Sequence, residues 1–104
     1  MPRFDVYANP DKTERKRIPY FLDVQNDHLG ALQTRVVVPL WDAGHLTNPV
    51  TVLNPAFELQ GASVVMDTAA LGAIPLSVLR RPVDNLAPHQ LAIQNALDTL
   101  FGGY

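Results

Sequence analysis

Residues 34–40 read TRVVVPL. β-Branched and apolar side chains occupy both alternating sets of positions, a pattern typical of a strand buried on both faces. Pro39 cannot donate a backbone hydrogen bond, so it marks either the end of this strand or an irregularity within it. We therefore predict that this segment is the core strand of the fold.

Two shorter strand patterns precede the core strand. Residues 4–7 read FDVY and residues 20–25 read YFLDVQ, and both contain a period-two alternation. The segment between them, ANPDKTERKRIP, combines an Asn-Pro-Asp turn signal with a run of charges. We expect it to form the solvated loop of a hairpin, and its basic residues leave a nucleic-acid contact as the alternative.

Further short strand patterns follow the core strand. They read VTVL (residues 50–53), AFEL (56–59), SVVM (63–66) and PLSVL (75–79), with turn residues between them. Strands of this length and spacing are typical of a meander or a small barrel. The segment WDAGHL, residues 41–46, favours a short helical turn.

The end of the chain favours a longer helix. Pro88 suits a first helical position, and Gly102 with Gly103 suits the helix end. Between them, apolar residues recur at intervals of three and four: Ile93, Ala96, Leu97, Leu100 and Phe101. The opposite stripe is polar, so we expect one face to pack on the sheet and the other to meet water or a partner.

Length and composition indicate a single domain, residues 1–104. Of the 104 residues, 47% are hydrophobic and 17% charged, which is enough apolar surface to fold around one core. The formal net charge of -2 excludes the overall basic field expected of a protein that binds nucleic acid alone. No segment approaches the ~18 apolar residues of a membrane span, and no secretory signal pattern follows Met1. Because cysteine is also absent, we expect a soluble, cytoplasmic protein without membrane contacts.

The sequence lacks the residue patterns that usually indicate catalysis or holds them only in part. No elbow such as G-x-S-x-G surrounds Ser63 or Ser77, and Asp42 with His45 supplies only half of a metal site. Neither a P-loop nor G-x-G-x-x-G is present. We therefore predict no catalytic residue, no metal and no cofactor, and a protein that acts by binding other proteins. Trp41, the sole tryptophan, is either a partly buried packing residue or a binding anchor.

Four segments together resemble the CcdB family. They are YFLDVQNDHL (residues 20–29), TRVVVPL (34–40), AIPLSVL (73–79) and NALDTLF (95–101), the last followed by two glycines. They span most of the chain in the order and spacing of that family, and the first segment is the most specific. The resemblance implies a mainly β, α+β fold: an SH3-like barrel with an antiparallel sheet, a small second sheet and one C-terminal helix, assembled as a homodimer.

The resemblance also implies a function. CcdB family members are the toxins of toxin-antitoxin pairs, and they bind the A subunit of DNA gyrase and trap the enzyme on cleaved DNA. A CcdA-like antitoxin with a disordered C-terminal part neutralises the toxin, and only the two together bind operator DNA and repress their operon. This mechanism needs no catalysis, because a ligand that prefers the DNA-cleaved state shifts the population toward that state. On this basis the chain is not an enzyme.

The resemblance implies specific contact residues as well. Carried over position by position, the gyrase-binding set is Phe4, Asn26, His28, Leu29, Asn95, Asp98, Gly102, Gly103 and Tyr104. The best-known members have tryptophan at the position of Gly102 and an amide at that of Asp98. We expect Tyr104 to replace part of the aromatic contact, because a terminal ring can lie across a guanidinium group.

Three alternatives stay open. The chain is a weakened or non-poisoning toxin that retains its fold and its antitoxin, a regulatory remnant that only binds an antitoxin, or a ribonuclease toxin on the same barrel. The candidate residues for the ribonuclease are Arg35, Arg80, Arg81, Thr34 and Ser77.

Overall fold

Seven strands and one α-helix make up the fold of the residues that the structure describes. The computed structural model of the chain describes residues 2–29 and 31–102, with the backbone alone at His28. The strands are β1 (Asp5–Ala8), β2 (Tyr20–Asp23), β3 (Thr34–Asp42), β4 (Ala56–Leu59), β5 (Ala62–Met66), β6 (Gly72–Pro75) and β7 (Asp84–Asn85), and the helix is α1 (Gln90–Phe101). Four 3-10 helices connect them: Asp27–Leu29, Thr68–Ala70, Leu76–Val78 and Ala87–His89.

β3 is the central strand, as its sequence predicts. One edge of β3 pairs with β2, whereas its other edge pairs first with β6 and then with β5. Pro39 lies where this second edge changes partner, and its carbonyl oxygen accepts a hydrogen bond from the Asp67 N–H at 2.9 Å. Pro39 has no backbone N–H to donate. Its position between two partner strands therefore costs β3 no ladder hydrogen bond on this edge. Pro39 marks an irregularity and not the end of the strand, which continues to Asp42.

The strands form a nearly closed barrel. All pairs are antiparallel and follow the order β4-β5-β3-β2-β1-β7, with β6 branching from β3. The two ends of this path approach each other where the Gln60 side chain donates to the Val83 carbonyl at 3.2 Å. The predicted SH3-like barrel with one C-terminal helix is therefore confirmed. In the described residues all seven strands belong to one sheet, and β6 is attached to it through β3.

The loop between β1 and β2 is built on local hydrogen bonds. The Asn9 side chain accepts from the Asp11 N–H at 2.9 Å and donates to the Ile18 carbonyl at 2.9 Å. The Arg15 guanidinium donates to the Asn9 carbonyl at 2.7 Å. Because β1 and β2 pair in antiparallel fashion across this loop, the predicted hairpin is confirmed.

Two strand predictions after β3 are wrong. Residues 50–53 form a turn because the Asn54 side chain accepts from the Val50 N–H at 3.0 Å, so a local bond replaces strand pairing. In residues 75–79 only Pro75 belongs to a strand, and Leu76–Val78 is a 3-10 helix. The patterns at 56–59 and 63–66 do fall in β4 and β5.

The final helix covers the barrel core. The 3-10 turn that contains Pro88 leads into α1, and Gly102 ends the helix in the left-handed conformation with φ 73°. Ile93, Ala96 and Leu97 are buried and belong to the same hydrophobic cluster as barrel residues that include Val6 and Leu22. In the residues that the structure describes, no helix is long and apolar enough to cross a membrane.

Candidate docking groove

A groove of about 380 Å³ lies between the segment that follows β2 and the C-terminal helix. We call it the docking groove. Its lining residues come from the β2–β3 connection, from β3, from the residue before β6 and from α1: Val24, Gln25, Asn26, Leu29, Val36, Leu71, Gln94, Leu97, Asp98 and Phe101. One wall is therefore a turn and the other is a helix.

A buried ion pair lies beneath the turn. The Arg35 side chain donates from Nε to Asp23 Oδ2 at 2.8 Å and from Nη2 to Asp23 Oδ1 at 3.0 Å. Arg35 is only 1% exposed and Asp23 is fully buried, so neither charge is solvated. Burial raises the pKa of Asp23, while the hydrogen bonds from Arg35 and the Gln25 N–H oppose the rise. The pair needs both members, because either charge alone would be buried without compensation.

The Gln25 side chain fixes the turn to this base. Its Oε1 accepts from the Val36 N–H at 2.9 Å, and its Nε2 donates to the Leu29 carbonyl at 3.2 Å. Arg35 also donates to the Gln25 carbonyl at 3.2 Å. The turn wall of the docking groove therefore rests on buried hydrogen bonds and not on loop packing alone.

Arg3 connects the turn to the helix. Its backbone N–H donates to the Asp27 carboxylate, and its Nε donates to the Val24 carbonyl at 3.1 Å. Its Nη2 reaches Gln94 Oε1 on α1 at 3.2 Å. The guanidinium carbon lies 4.8 Å from the centre of the Phe4 ring, within the range of a cation–π contact.

Asp98 gives the helix wall a negative charge. Its Oδ1 accepts a hydrogen bond from Gln94 Nε2 at 3.3 Å, and within residues 2–29 and 31–102 no cation forms a salt bridge with it. It lies in the last turn of α1, where the helix dipole disfavours a carboxylate. The hydrogen bond from Gln94, four residues earlier, offsets part of this cost to the helix.

The floor of the docking groove is apolar and its edges are exposed. Val24 and Leu97 belong to the buried core, and Val36 and Leu71 pack against it. At the edges, Leu29 is 48% exposed and Phe101 is 70% exposed. A protein partner that covered these two side chains would bury apolar surface and meet the charge of Asp98.

Three predicted contact residues meet in the groove. Asn26 and Leu29 from the turn and Asp98 from α1 all line it, although the turn and the helix are far apart in the chain. Asn95 is half-buried on the same helix but does not line the groove. Gly102 is exposed at the helix end.

The other predicted contact residues are placed differently. Phe4 is only 5% exposed and belongs to the core. Its ring contacts Arg3 and does not line the groove. His28 belongs to the 3-10 helix of the turn, but its side chain lies outside the description. Gly103 and Tyr104 also lie outside the described residues, so the aromatic contact expected of Tyr104 stays a prediction.

Sequence reasoning missed Arg3, Gln94 and Phe101 as site residues. Arg3 and Gln94 form a hydrogen bond although they are 91 residues apart in the sequence, and no local sequence pattern predicts such a contact. Phe101 lies on the apolar stripe of the helix, so periodicity assigned it to the core. Its position as the last residue of α1 was the signal that it could extend beyond the barrel.

Trp41, the Asp42–His45 pair and Arg35 were also candidate site residues. Trp41 is half-buried and donates from Nε1 to Asp67 at 2.9 Å, which favours its interpretation as a packing residue. Asp42 and His45 pair at 2.9 Å in an exposed turn, and the described residues contain no cluster of three metal ligands. Arg35 belongs to the buried pair, so it cannot serve an open ribonuclease groove.

The chain was compared with models of known protein families. The model of a family described as CcdB protein matches residues 3–103, nearly the whole chain.

Proposed function

The chain belongs to the CcdB family, the toxins of toxin-antitoxin systems, and we propose on this basis that it binds the A subunit of DNA gyrase and traps the enzyme on cleaved DNA. The proposal assigns the contact to the docking groove and to the helix end beside it. The supporting observation is that Asn26, Leu29 and Asp98 line one groove. These three residues, carried over from the family resemblance, thus support the same surface as the groove geometry.

The proposed mechanism is binding without bond chemistry. Gyrase passes through a state in which its DNA is cleaved, and a ligand with higher affinity for that state raises its population. To move the equilibrium from 1:99 to 99:1, the toxin would have to prefer that state by about 10⁴-fold. The protein contributes an exposed apolar edge, Leu29 and Phe101, and one carboxylate, Asp98, to this binding energy.

The proposal includes the other partners of the system. The protein acts in the cytoplasm as a homodimer, and a CcdA-like antitoxin with a disordered segment neutralises it. Leu29 and Phe101 are the kind of exposed apolar side chains that a disordered segment covers when it folds on binding. Operator DNA is bound only by the toxin-antitoxin complex, in keeping with the net charge of -2 on the toxin.

A weakened toxin is the second candidate. Two observations favour it: Gly102 offers no aromatic side chain at the helix end, and Phe4 is buried. Loss of an aromatic anchor weakens a typical interface by about 2 to 4 kcal/mol. A protein of this kind would retain its fold and its antitoxin but would trap gyrase only at high concentration.

One assay distinguishes these functions. Purified protein is incubated with gyrase, ATP and supercoiled plasmid, and in parallel with single-stranded RNA. Linear DNA that appears after denaturation of gyrase supports the poison, and RNA fragments would identify a ribonuclease instead. If neither product forms at any toxin concentration, poisoning is refuted and the regulatory remnant is favoured.

A matched pair of variants locates the activity. Leu29→Asp places a charge on the edge of the docking groove, whereas Val52→Asp makes the same change at another exposed aliphatic residue outside it. We expect Leu29→Asp to abolish DNA linearisation and Val52→Asp to leave it unchanged. Equal activity of the two variants would refute the assignment of the contact to the groove.

A further inference from the structure

Arg3 reaches both walls of the docking groove without lining it. In the turn wall, its backbone N–H donates to the Asp27 carboxylate and its Nε donates to the Val24 carbonyl. In the helix wall, its Nη2 donates to Gln94. Gln94 in turn donates to Asp98. The Gln94 side-chain amide therefore bridges the Arg3 guanidinium and the Asp98 carboxylate that lines the groove.

The backbone at Arg3 is held in place from several sides. The Arg3 carbonyl accepts from Asn85 Nδ2 at 3.2 Å, and the Phe4 N–H donates to the Asp23 carbonyl at 2.7 Å. The Phe4 carbonyl accepts from the Leu86 N–H at 2.8 Å. Phe4 itself has φ 72°, a left-handed conformation that is a genuine outlier for a bulky residue. Such a conformation persists only where surrounding bonds impose it, and strained residues of this kind cluster at functional sites.

The chemistry of the contact requires arginine. The planar guanidinium presents several donors in a fixed fork, so one side chain serves the Val24 carbonyl and the Gln94 amide together. The guanidinium carbon also lies 4.8 Å from the centre of the Phe4 ring, so a cation–π contact adds to these hydrogen bonds. A lysine ammonium is a point charge on a flexible stem and cannot hold both acceptors in this geometry.

We propose that Arg3 is a positioning residue of the docking groove, which sets the spacing between the turn and the helix and so determines how well the groove fits its partner. The inference rests on the proposed function, because gyrase is taken as that partner. Arg3 is not itself a lining residue of the groove, so its effect on binding acts through the two walls.

The test compares substitutions at Arg3 with one matched control. Arg3→Met keeps an unbranched apolar stem and removes the donors, Arg3→Lys keeps the charge, and Arg80→Ala removes an exposed arginine elsewhere. Affinity for the purified gyrase A subunit is measured for each variant. Amide hydrogen exchange is measured in the free proteins at Leu29, whose N–H bonds to Asn26 in the turn, and at Met66, whose N–H bonds to Pro55.

We expect Arg3→Met to speed exchange at Leu29 at least tenfold while Met66 is unchanged, because only the turn is released. Affinity for gyrase should fall about tenfold, Arg3→Lys should recover part of it, and Arg80→Ala should behave as wild type. A general acceleration that includes Met66 would show a merely structural role and overturn the inference. So would unchanged exchange at Leu29, whatever happens to the affinity.

The design separates the two hypotheses. If the wild-type protein does not bind the gyrase subunit, the proposed function fails, and the exchange data alone decide whether Arg3 couples the two walls. If the wild-type protein binds and Arg3→Met binds equally well, the proposed function stands and the role of Arg3 is refuted.

Discussion

Asp23 and Arg35 form two parallel hydrogen bonds, at 2.8 and 3.0 Å, in a place that water does not reach. Their strands are paired, with Asp23 opposite Val37, so the two side chains are diagonal neighbours on one face of the sheet. That face is opposite to the one that packs on α1. The ion pair thus supports the turn wall of the docking groove from behind, through Gln25.

Asp23→Asn should destabilise the protein strongly. The change leaves the Arg35 guanidinium buried without a counter-charge, and breaking such a pair costs about 3 to 5 kcal/mol. Urea denaturation measures the free energy of unfolding, with Glu58→Gln, an exposed carboxylate on β4, as the matched control. The double variant Asp23→Leu/Arg35→Met should be more stable than Asp23→Asn, since it removes both buried charges. A loss below about 1 kcal/mol in Asp23→Asn would contradict the assignment.

Phe101→Ala should weaken gyrase binding and leave the fold intact. The ring is 70% exposed, so its removal opens no cavity in the core, but it removes an apolar edge of the docking groove. We expect a loss of about tenfold in affinity, or about 1.4 kcal/mol, with little change in the midpoint of unfolding. Leu91→Ala is the control, because Leu91 is equally exposed on the same helix and outside the groove. Equal affinities for the two variants would exclude Phe101 from the contact.

Gly102→Trp should strengthen gyrase binding at some cost in stability. A Cβ atom at Gly102 meets nothing within 4 Å, so there is room for a side chain. The left-handed φ of 73° nevertheless disfavours any residue with a Cβ by about 1 kcal/mol. Gly102→Ala shares the backbone penalty without the ring. We expect about a 30-fold gain in affinity for Gly102→Trp over Gly102→Ala by calorimetric titration. The same affinity in both would mean that the helix end does not contact gyrase.

Alkaline pH should destabilise the protein through Tyr7. Burial, followed by the neighbouring Asp5 and Asp23 carboxylates, raises the pKa of Tyr7 from 10.0 to about 12. The folded state therefore holds the phenol proton more tightly than the unfolded state. The stability that Tyr7 contributes is fully present below pH 10.0 and is lost as the pH rises to about 12. The loss is on the order of 2 kcal/mol.

Tyr7→Phe tests this pH dependence. The variant cannot ionise at this position, so its stability should fall less steeply over the same alkaline range. Unfolding free energies measured at several pH values, together with tyrosinate absorbance, follow the effect. Parallel pH profiles of the variant and the wild type would assign the alkaline loss to other groups.

Elements with strong periodicity were predictable from the sequence. The β-branched run of β3 and the three- and four-residue spacing of α1 both identify elements that the structure contains. Residues 50–53 show the limit of this approach, because VTVL has the composition of a strand but the Asn54 side chain closes it into a turn. Composition predicts what a segment favours, and a single local hydrogen bond can decide against it.

The site was predictable in part. The family resemblance led to Asn26, Leu29 and Asp98, which do share one groove. It also led to Phe4, whose burial follows from backbone bonds to Asp23 and Leu86 that no sequence pattern reveals. Arg3 was not predictable, since its role depends on how the first and last segments of the chain meet in space.

We expect the buried ion pair also to disfavour misaligned pairing of β2 and β3 during folding. If β2 and β3 aligned one residue out of register, every side chain of β3 would exchange faces, and Arg35 would enter the apolar interior without its carboxylate. Such a misfolded sheet would bear the full penalty of an isolated internal charge. We therefore expect the pair to favour one strand alignment, which a hydrophobic substitute of equal strength would not do.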